Sequence, residues 1–146
     1  MTQRSGVLFF VILTLICGVL IYTATRAELL YINQWFAYLA GSSGLNFFQG
    51  LVRNSELPAW VIYSLPDALW MLGLVTLVLL IWDFNLHLRS IPWIIIAIVM
   101  GLLFEIFQGF QVVPGTFDLA DLVLIFFAAL LPISFIMIKQ YICETK

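Results

Sequence analysis

Apolar positions fall in four long runs, at about residues 7–25, 60–82, 92–110 and 117–138. None shows the strict alternation of a half-buried strand, and about 20 apolar residues suffice for a helix to cross the hydrocarbon of a bilayer. Pro92 to Phe110 would cover about 28 Å at 1.5 Å per residue. The run from Val7 to Tyr22 follows Arg4, and Thr25-Arg26-Ala27 has the outline of a small-x-small cleavage site. It is long for a signal-peptide core, so it is read as an uncleaved first helix. Thr14, Cys17, Gly18, Ile21 and Thr25 recur on it at helical spacing, a seam of mostly small residues suited to close helix packing.

Polar punctuation marks the ends of these helices. Ser64-Leu65-Pro66-Asp67 and Ser90-Ile91-Pro92 both read as a capping Ser followed by Pro in the first turn. The second helix therefore either carries Pro66 inside it or starts there. Pro114-Gly115 predicts a tight turn before the fourth helix, and Pro132 a kink within it. Between the first and second helices, residues 26–59 contain an amphipathic, aromatic stretch (Leu29, Leu30, Ile32, Trp35, Phe36, Leu39). A Gly41-Ser42-Ser43-Gly44 breaker separates it from a second apolar patch at Leu45, Phe47, Phe48 and Leu51. This outer loop is expected to be interfacial or re-entrant, either spacing the helices or forming a lid over an outer-leaflet pocket.

Composition agrees with a lipid solvent. The 146 residues are 64% hydrophobic and only 10% charged, with a mean hydropathy of +1.12, well above the roughly half-apolar norm of soluble domains. The fold class expected is therefore all-α, a single membrane domain over residues 1–146 with four transmembrane helices. A net charge of −2 gives no footprint for nucleic acid. Arg4, Arg89, Lys139 and Lys146 fall on one side of the four-span topology, and Arg26 and Arg53 in the longer loop on the other. Both termini are thus expected to be cytoplasmic. Cys17 and Cys143 lie at different depths, which separates them.

This topology sorts the acidic residues. Asp67 lies near the outer end of the second span, Glu105 about five residues before the outer end of the third, and Asp118 and Asp121 at the head of the fourth. Glu105 and Gln108 share a helix face above Gly101, and Asp118 and Asp121 share a face that continues through Ile125, Ala128 and Ala129. Asp118 and Asp121 are explicable as helix-start carboxylates favoured by the dipole. Glu105, near a helix C-terminus, is not. An ionised carboxylate at mid-membrane costs about 2.5–3.5 kcal/mol, and no span carries an Arg or Lys to neutralise it. Asp67, Glu105, Gln108, Asp118 and Asp121 are therefore the candidate binding residues of an outward-facing acidic pocket. Glu105, Asp118 and Asp121 are candidate hard-oxygen ligands for Mg²⁺ or Ca²⁺. Carboxylates in this setting also suit acid–base work or a proton path. His87 reads as a solvated turn residue.

Glu105-x-x-Gln108, a short turn, then Asp118-x-x-Asp121 at the head of the next helix resembles the VanZ-like family of small bacterial membrane proteins. Asp67 matches the family's earlier aspartate, and the resemblance covers roughly residues 60–135. It implies a multi-pass protein of the bacterial inner membrane and a cell-envelope role linked to low-level teicoplanin resistance. The chain departs from the family's pattern in that Gly115 and Thr116 stand where a basic residue is expected, and Ile125 where an Asn is expected. Apolar residues around Ala68 and Met71 replace a Lys and a His. The expected function is binding or an accessory role at the outer leaflet, toward envelope lipids, lipid-linked precursors or glycopeptides. The alternatives are a metal-dependent hydrolase or transferase on lipid-linked substrates, and a structural subunit of a larger membrane complex.

Overall fold

A computed structural model describes residues 3–25, 31–53, 57–112 and 117–144. These residues are all-α: α1 (Gln3–Thr25), α2 (Tyr31–Ala40), α3 (Ser42–Arg53), α4 (Ala59–Tyr63), α5 (Leu65–Ile81), α6 (Ile91–Gly109) and α7 (Leu119–Glu144). Three helices are long and apolar enough to cross a membrane, over Arg4–Thr25, Ile91–Gly109 and Leu119–Ile142. Leu65–Ile81 is apolar but shorter, at 17 residues. Many of the large side chains on the three long helices point outward, among them Phe9, Ile95, Met100, Phe127 and Phe135. In water that surface would be untenable; against acyl chains it costs nothing.

The shorter helix is the centre of the assembly. α5 packs against α1, α6 and α7, whereas α1 touches neither α6 nor α7 among the described residues. Small residues permit this crowding. A Cβ added at Gly18 of α1 would overlap the Trp70 ring of α5 and come within 3.2 Å of the Pro66 carbonyl oxygen. One added at Gly73 of α5 would lie 2.8 Å from Thr14 Oγ1. Farther along, Arg4 forms an ion pair with Asp83. These three contacts set α1 and α5 antiparallel along their length, and they bear out the Thr14–Gly18 seam as a packing feature. The apolar core lies between α5, α6 and α7, around Met71, Val75, Leu79, Ile94, Ala97, Ile125 and Ala129.

Neither serine caps its helix. Ser64 and Ser90 have αR backbones and accept no capping hydrogen bond. Ser-x-Pro puts Pro at the second helical position, so one of the two N–H groups that a cap would receive does not exist. At Ser64 the chain instead runs helically from α4 into α5: Ser64 N–H donates to Trp60 O, and Ala68 N–H donates to Ser64 O. The two readings of Pro66 thus merge in an Ala59–Ile81 helix interrupted at Ser64. Ser90 turns backward, its hydroxyl donating to Asn85 O at 2.8 Å or His87 O at 3.0 Å and accepting from His87 N–H at 3.0 Å. His87 is exposed in that turn.

α2 and α3 form a hairpin broken at Gly41, whose φ of +80° is the left-handed conformation glycine adopts freely. The hairpin packs on α1, with Gln49 Nε2 donating to Thr23 O at 3.1 Å, and makes no contact with α5, α6 or α7 among the described residues. Its outward face carries Trp35, Tyr38, Leu39 and Phe47. Among the described residues these helices lie against α1, as the helix-spacing reading expects. The predicted Pro114-Gly115 turn, with Thr116, lies outside the described residues, as do Arg26 and Lys146. Cys17 is a free, half-buried thiol; the Cys143 side chain lies outside the description.

Candidate functional site

At Gly101, α6 lies against both α5 and α7. A Cβ there would overlap Met71 Cε of α5 and lie 3.8 Å from Ile125 Cγ2 of α7. α6 runs antiparallel to both neighbours, as shown at its far end, where a Cβ on Gly109 would lie 3.3 Å from Phe117, just before α7. One turn beyond the Met71–Gly101–Ile125 layer, toward that end, the same three helix faces carry Asp67, Glu105 and Asp121. The offset is four residues on each helix, about 6 Å along the axis.

Two of these acids occupy core positions. The buried residues of α6 are Ile94, Ala97 and Glu105, a single stripe passing through Gly101. Asp121, Ile125, Ala128, Ala129 and Ile136 form the matching stripe of α7. Glu105 is 3% exposed and Asp121 5%. Asp121 Oδ1 has no hydrogen-bond partner among the described residues, a state that buried polar atoms seldom tolerate. Asp67 is half-buried, and both it and Glu105 have an interaction partner.

The other expected residues separate from this pair. Asp118 is exposed, and its Oδ1 accepts the Ala120 N–H at 3.0 Å while its carbonyl oxygen accepts the Asp121 N–H at 3.1 Å. That is an N-cap, made possible because the second helical residue is Ala rather than Pro. Gln108 is half-buried, and its carbonyl takes the Gln111 N–H at 2.9 Å. With Val112 N–H on Phe107 O, also at 2.9 Å, this closes α6 in a Schellman motif whose left-handed residue is Gln111. The expected Glu105–Asp118–Asp121 metal set is not gathered: no group of three or more His, Cys, Asp and Glu among the described residues is placed to hold a metal ion. Asp118 is turned to its own backbone instead.

The acid level is thus a junction of three helices holding two desolvated carboxylates. A cationic group would answer such carboxylates, and an apolar ligand would not. Three cavities lined by described residues lie elsewhere, two of them at the opposite end of α5 and unforeseen in the sequence. Comparison with family models, curated proteins and solved structures returned no match.

Proposed function

We propose that this chain is a four-span, VanZ-like protein of a bacterial inner membrane that binds a cationic group of an envelope amphiphile or glycopeptide between Glu105 and Asp121. α5 is the fourth span: with α4 it supplies a helical path from Ala59 to Ile81 beside the full length of α1. The excess of Arg and Lys near α1's start, the 82–90 turn and α7's end puts that side in the cytoplasm, so the acids face outward. The observation that carries the binding role is the placement of both carboxylates in core stripes, at 3% and 5% exposure. Asp121 Oδ1 has no hydrogen-bond partner among the described residues, so its carboxylate is the one left to be answered. No Lys or Arg stands in α5 or α6, and the one in α7, Lys139, is at its other end.

The test uses the full-length protein in lipid nanodiscs, with dodecylamine as cationic probe and dodecanol as its uncharged match. The amine should bind at least about tenfold more tightly than the alcohol, and Glu105→Gln or Asp121→Asn should each remove most of that preference. Asp121→Asn should leave the fold as stable or more stable, because it removes a buried carboxylate whose Oδ1 has no hydrogen-bond partner among the described residues. Equal binding of amine and alcohol by the folded wild type would sink the proposal.

A further inference from the structure

A different feature sits at the opposite end of the bundle. Because α1 and α7 both lean on α5 without touching each other, a groove of about 430 Å³ remains between them. Val7 and Phe10 form one wall, Leu131 and Phe135 the other, and Leu72 of α5 the floor. Gly6 and Pro132 also line it, and a Cβ at Gly6 would meet nothing within 4 Å. The groove continues into a polar chamber of about 320 Å³, where Arg4, Asp83, Asn85 and Gln140 replace the aliphatic lining. Phe84, Ile136 and Lys139 line both spaces. Phe84 is held at the junction by a left-handed backbone (φ +57°), and its carbonyl oxygen accepts Gln140 Nε2 at 3.3 Å.

The charges in the chamber do not cancel. Arg4 and Asp83 are paired with each other. Lys139 is exposed and forms no ion pair among the described residues. The slot therefore has an apolar body, a polar end and one surplus positive charge where the two meet. We infer that it binds one net-anionic phospholipid, with an acyl chain between α1 and α7 and the phosphate at Lys139. A second helix would fill the apolar body without answering the cation. A zwitterionic lipid would bring its own cation to a chamber whose carboxylate is already taken. The inference is independent of the acid level, which lies at the other end of α5.

The experiment is native mass spectrometry of the full-length protein released from mixed micelles containing phosphatidylglycerol and phosphatidylcholine with identical chains. Wild type should retain one phosphatidylglycerol in preference by about fivefold, the factor expected of one near-surface cation. Lys139→Gln should abolish the preference and Lys139→Arg keep it. Gly6→Phe, which projects into open space, should expel both lipids while leaving helicity and unfolding temperature unchanged. Three results would each overturn the inference: no preference in wild type, a preference that survives Lys139→Gln, or undiminished retention in Gly6→Phe. A dimer that Gly6→Phe dissociates would also overturn it, because a second copy would then be the occupant.

Discussion

Gly101 offers the sharpest test of how the acid level is positioned. The glycine lets α6 lie against Met71 of α5 and Ile125 of α7, and the carboxylates stand one turn above that layer. Gly101→Ala puts a methyl into the space of Met71 Cε, whose residue is only 4% exposed. Overpacking of this kind costs about 1–3 kcal/mol, and Met, being unbranched, yields toward the lower figure. The same change gains about 0.5–1 kcal/mol from helix propensity. The single mutant should therefore be destabilised by roughly 0–2 kcal/mol. Met71→Ala alone opens a cavity at a cost of about 2–5 kcal/mol. Once Met71 is gone the clash is gone too, and the added methyl keeps its propensity gain, so Gly101→Ala should become stabilising. The coupling in the double mutant is then about 1–3 kcal/mol in its favour, measured by reversible unfolding of the four proteins in micelles. Additivity within about 0.5 kcal/mol would mean that Met71 and Gly101 do not meet, and the levelling of Asp67, Glu105 and Asp121 would fall with it.

Other substitutions check the framework around that layer. Gly18→Ala should cost more than Gly101→Ala, about 2–3 kcal/mol, because its obstacles are the rigid Trp70 ring and the Pro66 backbone carbonyl rather than a flexible chain end; micelle unfolding gives the ranking. Asp118→Ala should cost about 1 kcal/mol for the lost Ala120 N–H bond. Ser64→Ala should be neutral or stabilising, because its hydroxyl is buried with no hydrogen-bond partner among the described residues. A comparable loss in both proteins would contradict the difference drawn between an Ala and a Pro at the second helical position.

The long-range outline was legible because lipid-facing helices advertise themselves as apolar runs. Ile91–Gly109 falls within a residue of the predicted third span at each end, while α7 runs on to Glu144, past the predicted 138. Helical spacing also exposed the Gly101–Glu105 and Asp121–Ile125 stripes, since period alone decides which residues share a face. What failed was local competition. Ser-x-Pro looked like a cap at Ser64 and Ser90 because residue preferences do not report the αR backbone that both serines adopt. Asp118 and Asp121 looked like one acidic pair although one points to its own backbone and the other into the helix junction. The groove was invisible for a different reason. Gly6 and Lys139 lie near opposite ends of the chain, and nothing local in either signals that α1 and α7 diverge around α5.

α5 ties the two ends together. Its N-terminal end carries Asp67 one turn before Met71, and at its middle Leu72 forms the floor of the groove, with Thr76 on the groove lining returning its hydroxyl to Leu72 O at 2.6 Å. A central helix touching all three neighbours cannot move without changing both places, because close-packed contacts shift in discrete steps rather than deform. The closest of those contacts are not alike. At Gly18 the obstacle is a rigid indole and a backbone carbonyl; at Gly101 it is a methionine methyl. α1 and α5 are therefore the stiff pair, and the α5–α6 contact is the one that can yield. A displacement at the acid level would fall on the softer contact, where Met71 can give by changing rotamer. A displacement taken up there would leave the α1–α5 frame, and the groove between α1 and α7, in shape.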